Sequence, residues 1–124
     1  MAKKILVIDD EELITKSLLR LLDKEGYNTT VVRSGKEALE KIKDIDFDLI
    51  VCDVRMPEMD GIETVKKIRA HFKSLEKKPI PEILITGYAD IEKYEKARKL
   101  EVKDYIYKPF DTDDFLKTVK RNLQ

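Results

Sequence analysis

Five polar residues stand where they could do chemistry together: Asp9, Asp10, Asp53, Thr86 and Lys108. Each closes or closely follows an apolar run. Ile5-Leu6-Val7-Ile8 stops at Asp9-Asp10-Glu11-Glu12, Phe47-Asp48-Leu49-Ile50-Val51-Cys52 stops at Asp53, and the runs ending at Ile85 and Tyr107 are followed by Thr86 and Lys108. Three carboxylates brought to one place repel one another, and a divalent cation removes that penalty. Hard oxygen ligands favour Mg²⁺ or Mn²⁺ over zinc, and no set of His or Cys offers a competing metal site. Lys108 supplies a point charge suited to phosphate oxygens, and Thr86 a hydroxyl that can donate to them. This set suits phosphoryl transfer, where catalysis is mostly positioning plus neutralisation of charge. One carboxylate can itself be the nucleophile, giving an acyl phosphate on Asp.

Taken singly, each residue has an ordinary structural reading. Acids after a strand commonly cap the next helix, and Glu11 and Glu12 are read that way. A Thr ending a strand or a Lys before Pro is commonly structural. The chemistry rests on all five meeting at one edge, so the elements that carry them matter. Strands are expected at Lys4–Ile8, Thr29–Val32, Phe47–Cys52, Glu82–Thr86 and Lys103–Tyr107. Phe47–Cys52 is nearly continuous in apolar residues, the pattern of a strand buried on both faces. Between them lie helical patterns. Glu11 to Glu25 repeats Ile14, Leu18, Leu21 and Leu22 on one face and stops at Gly26. Ser34-Gly35-Lys36-Glu37 has capping-box spacing and opens a helix to about Lys43. Gly61 precedes a third, with Val65, Ile68 and Phe72 inward. Asp90 can cap a fourth carrying Ile91, Tyr94 and Ala97, and Asp111 or Thr112 a fifth carrying Phe115, Leu116, Val119 and Leu123. Strand–helix alternation of this kind predicts an α/β fold: a parallel sheet with helices on both faces. Ligands in such folds sit beyond the carboxyl ends of the strands, where all five residues fall.

The composition narrows the partners. The chain has 124 residues, 42% apolar and 40% charged, with 25 Lys+Arg against 25 Asp+Glu. That length suits one domain spanning residues 1–124, and zero net charge gives no general attraction to nucleic acid or anionic membrane. There is no long apolar stretch and no signal-peptide pattern, so the expected location is cytoplasmic. Cys52, the single cysteine, is read as a small buried strand residue.

The motifs Ile8-Asp9-Asp10-Glu11, Asp53-Val54-Arg55-Met56-Pro57-Glu58-Met59-Asp60-Gly61, Ile85-Thr86-Gly87 and Tyr105-Ile106-Tyr107-Lys108-Pro109-Phe110 resemble those of receiver domains of two-component response regulators, of the chemotaxis-regulator type. The resemblance covers essentially the whole chain. It implies a doubly wound flavodoxin-like (βα)5 sandwich with strand order 2-1-3-4-5. It also implies a signalling switch rather than a turnover enzyme. Asp53 would accept a phosphoryl group from a sensor histidine kinase, a phosphotransfer protein or a small phosphodonor. Asp10, Asp53 and the Arg55 carbonyl would ligate Mg²⁺, with Asp9 acting through water. Lys108 would pair with Asp53 and then with the phosphoryl group, its direction set by a cis Lys108–Pro109 bond. Thr86 and Tyr105 would relay the change to the surface of the fourth helix, fifth strand and fifth helix, where a downstream protein target binds. Arg55 and Tyr88 would tune phosphoryl lifetime. The resemblance also allows a phosphorylation-linked homodimer.

The stretch between Asp60 and Thr86 is about three residues longer than in the chemotaxis regulator, with the surplus expected in Lys73–Pro81, opposite the active site. His71 is read as a surface or capping residue. Tyr94, Tyr107 and Phe110 are read as packing before partner surface. The ending at Gln124 mildly favours a free-standing receiver. Two rivals are weaker. A Mg-dependent phosphohydrolase with an aspartyl nucleophile wants an acid at position 55, where Arg stands. An FMN module wants a phosphate loop after the first strand, where four acids stand instead.

Overall fold

The computed structural model describes residues 2–87 and 91–124, with side chains throughout except for 91–94. Five strands alternate with five helices: β1 (Lys4–Ile8), α1 (Glu12–Lys24), β2 (Asn28–Val32), α2 (Gly35–Asp44), β3 (Leu49–Asp53), α3 (Gly61–Ser74), β4 (Glu82–Gly87), α4 (Ile91–Lys99), β5 (Asp104–Lys108) and α5 (Thr112–Arg121). The strands form one parallel sheet in the order β2-β1-β3-β4-β5.

Alternation along each strand divides the core into two layers. Leu6, Ile8, Ile50, Cys52 and Leu84 face α2, α3 and α4, where Ala38, Ile42, Val65, Ile68 and Ala97 meet them. Ile5, Val7, Leu49, Val51, Ile83 and Ile85 face α1 and α5, against Leu18, Leu22, Phe115 and Val119. The central strands β1, β3 and β4 are therefore apolar almost without a break, since both their faces are covered. Cys52 lies in the first layer, wholly buried. Burial, with the charge of Asp53 beside it, pushes its thiol well above the usual range, which makes it unreactive.

Helix ends follow local chemistry. Ser34 Oγ accepts from the Glu37 N–H (3.1 Å), Asp60 Oδ1 from that of Glu63 (2.9 Å), and Asp111 Oδ1 from that of Asp114 (2.7 Å). The Ser34 box closes one residue earlier than expected, since the Glu37 carboxylate takes the Arg33 N–H. Gly26 follows α1 with φ +89°, a left-handed turn open to glycine.

Several expectations shift. Gly61 is the first residue of α3 rather than the one before it, because Asp60 is the cap. α3 runs on through Ser74, into the stretch Lys73–Pro81 where the surplus was expected. β3 begins at Leu49 and includes Asp53, which pairs with Ile85. Glu11 occupies the N-cap position of α1, but its side chain makes no capping bond, and Glu12 pairs with Lys16 at 3.1 Å. His71 is half-buried, with Nε2 enclosed and unpartnered, so it is neither a plain surface residue nor a side-chain cap. Phe110 stacks on Phe115 with ring centroids 5.6 Å apart, a packing role. Asp90, and the side chains of Ile91 and Tyr94, lie outside the described residues.

Candidate functional site

Parallel pairing puts the carboxyl ends of β1, β3, β4 and β5 at one edge. Ile8 is level with Cys52, Asp53 with Ile85, and Gly87 with Lys108. Asp9, Asp53, Thr86 and Lys108 therefore emerge together at the top of the sheet. Asp9 is wholly buried and Asp53 and Thr86 are 2% exposed, while Asp10 is partly open to solvent.

One oxygen from each of Asp9, Asp10 and Asp53 lies within 4.8 Å of the others. Asp9 Oδ1 accepts the Glu11 N–H at 3.0 Å, which turns the carboxylate inward, and its Oδ2 is buried with no hydrogen-bond partner. An enclosed carboxylate oxygen without a donor is a costly arrangement that a cation relieves. The hard-oxygen donor set and this orphaned atom both fit a small divalent ion.

Lys108 is the cation of the site. Its Nζ lies 3.1 Å from Asp53 Oδ2 and 3.1 Å from Glu11 Oε1. The Lys108–Pro109 bond is cis. Asp53 Oδ1 also receives a long bond from the Arg55 N–H at 3.4 Å. Behind Asp53 the backbone is pressed tightly: the Gly61 N–H donates to the Val54 carbonyl at 2.8 Å, and a Cβ on Gly61 would fall 2.1 Å from the Asp53 carbonyl oxygen. Only glycine allows α3 to start this close to Asp53.

Burial raises the carboxyl of Asp9 to about 7, helped by the charge of Asp53 and opposed by the Glu11 N–H. Burial likewise raises Asp53, although the Lys108 ammonium pulls the other way. For Lys108, burial works against the charged form, but attraction to Asp53 and the bonds to Asp53 and Glu11 outweigh it and raise its value.

Of the residues singled out from the sequence, Asp9, Asp10, Asp53 and Lys108 converge directly. Thr86 sits one residue beyond the partner of Asp53 on the neighbouring strand. Tyr105 is elsewhere: half-buried on β5, its hydroxyl donates to the Ala97 carbonyl of α4 at 2.8 Å. Tyr88 lies outside the described residues. Two participants were not anticipated. Glu11 holds Lys108, and Arg33, at the end of β2, donates to the Asp10 carbonyl at 3.2 Å. Glu11 stands in a run of acids that reads equally well as helix capping, and nothing local marks Arg33.

Residues 5–120 match the family model for the response regulator receiver domain. The chain belongs to this family. The transcriptional regulatory protein ZraR of Escherichia coli K12 is 40% identical over 119 residues, 96% of this chain and 26% of that protein. FixJ of Bradyrhizobium diazoefficiens is 36% identical over 109 residues, 88% of this chain and 51% of the relative. This receiver domain thus spans about a quarter to a half of the length of these curated relatives. Among solved structures, the chemotaxis protein CheY4 of Vibrio cholerae superposes with a TM-score of 0.87 at 32% identity, covering 99% of this chain and all of that one. The receiver's role is phosphorylation-activated signalling, that of a switch rather than of a conventional enzyme. No helix among the described residues is long and apolar enough to cross a membrane.

Proposed function

We propose that Asp53 is the phosphoryl acceptor of a Mg²⁺-dependent switch and that residues 1–124 work as one receiver domain in the cytoplasm. The observation that carries this reading is the 3.1 Å pair between a nearly enclosed Asp53 and Lys108, set against the acid trio. An Asp53 oxygen attacks phosphorus on the phosphohistidine of a sensor histidine kinase or phosphotransfer protein. The P–N bond breaks, its electron pair stays on the imidazole nitrogen, and an acyl phosphate forms. Asp10, Asp53 and the Arg55 carbonyl would hold Mg²⁺, with Mn²⁺ a substitute and Asp9 acting through water. When bound, the ion neutralises charge on the phosphoryl oxygens. Lys108 shifts from the Asp53 carboxylate to a phosphoryl oxygen, a charge-assisted contact.

Phosphorylation adds about −1.5 to −2 charge units at neutral pH. Thr86 is drawn toward that charge. Tyr105, tied to α4 through Ala97, registers the movement and passes it to the α4–β5–α5 face, where a downstream protein binds. Arg55 and Tyr88 flank the site and set how fast water removes the phosphoryl group. An apolar groove of about 440 Å³ beside Lys108, lined by Ile14, Leu18, Leu21, Pro109 and Phe110, supports a macromolecular donor docked along α1.

Incubating the protein with a small phosphodonor, with and without Mg²⁺, and mapping the modified residue tests the reading. Label should appear on Asp53, require the metal and vanish in Asp53→Asn. Label elsewhere, or uptake indifferent to chelator, defeats it.

A further inference from the structure

We propose that Glu11 is an electrostatic gate at the mouth of the site, a specificity-determining residue that disfavours small anionic phosphodonors. This rests on Asp53 being the acceptor. Lys108 Nζ is shared equally, 3.1 Å from Asp53 Oδ2 and 3.1 Å from Glu11 Oε1. The two partners differ in position: the Asp53 side chain is 3% exposed, that of Lys108 27%, and that of Glu11 57%. The order from the interior outward is therefore carboxylate, ammonium, carboxylate.

Three features keep Glu11 there. Its N–H is fixed on Asp9 Oδ1 at 3.0 Å. Its carboxylate makes no helix-capping bond, which leaves it to reach across to β5. The next acid, Glu12, is turned away to Lys16 and cannot take its place. The oxygens of Glu11 and Asp53 are separated by no more than the two ion-pair contacts laid end to end, which is inside one Debye length at physiological salt.

An anion approaching Asp53 meets the Glu11 charge first and finds the ammonium already half neutralised. The penalty scales with the charge on the donor, because the Coulomb energy is linear in it. A dianionic acyl phosphate is repelled twice as strongly as a singly charged phosphoramidate. A docked protein donor, held along α1 by apolar contacts, meets the same repulsion but has binding energy to offset it. Once the phosphoryl group is on Asp53, its greater charge draws Lys108 inward and Glu11 lets go.

The test compares wild type, Glu11→Gln and Glu11→Asp, each with acetyl phosphate and with phosphoramidate, at saturating Mg²⁺ and low ionic strength. In both reactions Asp53 oxygen bonds to phosphorus. The leaving acetate departs with the P–O electrons, and ammonia departs with the P–N electrons, carrying the three protons the singly charged donor already holds on its amine. Glu11→Gln should speed subsaturating uptake about fourfold with acetyl phosphate and about twofold with phosphoramidate, and the gain should shrink with added salt. Glu11→Asp keeps the charge at the mouth and should stay within about twofold of wild type. Equal gains for the two donors, no gain, or an Asp variant that behaves like the Gln variant would overturn the gate. Asp53→Asn is run alongside, and label on it would fault the acceptor assignment instead. Circular dichroism melts of the Glu11 variants identify any loss of fold.

Discussion

Asp9 is the residue at which pH and metal meet. It is fully enclosed, one of its oxygens lacks a donor, and burial lifts its carboxyl from 3.8 to about 7. Between those values the folded protein holds a proton that the unfolded chain has released. Stability of the metal-free protein therefore falls as pH rises from about 4 to about 7, and the penalty is complete above that. Asp9→Asn should remove the Asp9 share of this dependence and leave that of Asp53, whose carboxyl burial also raises. Without metal the variant should match wild type near pH 4 and exceed it by on the order of 2–3 kcal/mol at pH 8. With Mg²⁺ the variant's advantage should shrink, since wild type keeps the carboxylate that would hold the ion's water and so gains more from binding it. Urea melts across pH, with and without the ion, measure both effects. A stability difference independent of pH would show that folding leaves the proton affinity of the Asp9 carboxyl unchanged.

Among the elements, the loop between β3 and α3 carries its own strain. Glu58 has φ +64°, the left-handed region that non-glycine residues enter at a cost. It holds the chain between Pro57 and Asp60 so that Asp60 can cap α3 and Gly61 can lie against Asp53. Glu58→Gly should raise stability by about 1 kcal/mol in denaturant unfolding, because relief of the Cβ clash exceeds the added freedom of the unfolded chain. A loss of stability would mean that the Glu58 side chain supports the loop. The caps of α2 and α5, Ser34 and Asp111, were legible in sequence, since a cap and its target N–H lie three residues apart, whereas Asp60 was not read as the cap of α3. The turn at Glu58 was not, because no local pattern distinguishes it from an ordinary loop acid.

On the scale of the whole molecule, an ion pair with a buried carboxylate helps tie the edge opposite the site. Arg69 on α3 donates to Glu82 at the start of β4, with Nη2 2.6 Å from Oε1, and Nη1 reaches the Leu100 carbonyl at 2.8 Å. One side chain thus fastens α3, β4 and the residue that follows α4. Glu82 is 6% exposed, so Arg69→Met strands its charge and should cost about 3 kcal/mol. Arg69→Met with Glu82→Met should recover most of that loss, since an apolar pair avoids the desolvation of both ions. Urea unfolding of the single and double variants measures this, and equal losses in the two would assign the cost to Arg69 packing instead. The stretch after α3 lies at this edge, where Lys73, Lys77, Pro79 and Ile80 line a cavity of about 630 Å³ with Arg69 and Glu82.

What the chain reveals without its fold is what short-range patterns encode. Apolar runs marked the strands, helical spacing marked the inward faces, and acids at the ends of the first and third runs pointed to one carboxylate site. Tertiary structure alone decided which partner each charge took. Glu11 reads as a helix-capping acid until β5 brings Lys108 to it from 97 residues away. Arg33 becomes part of the site through a contact spanning 23 residues, and Arg69 meets the Leu100 carbonyl across 31. Backbone pattern repeats within a few residues and is written in the local order of side chains. An ion pair depends on distance in space, which parallel strand order and the register of the sheet determine.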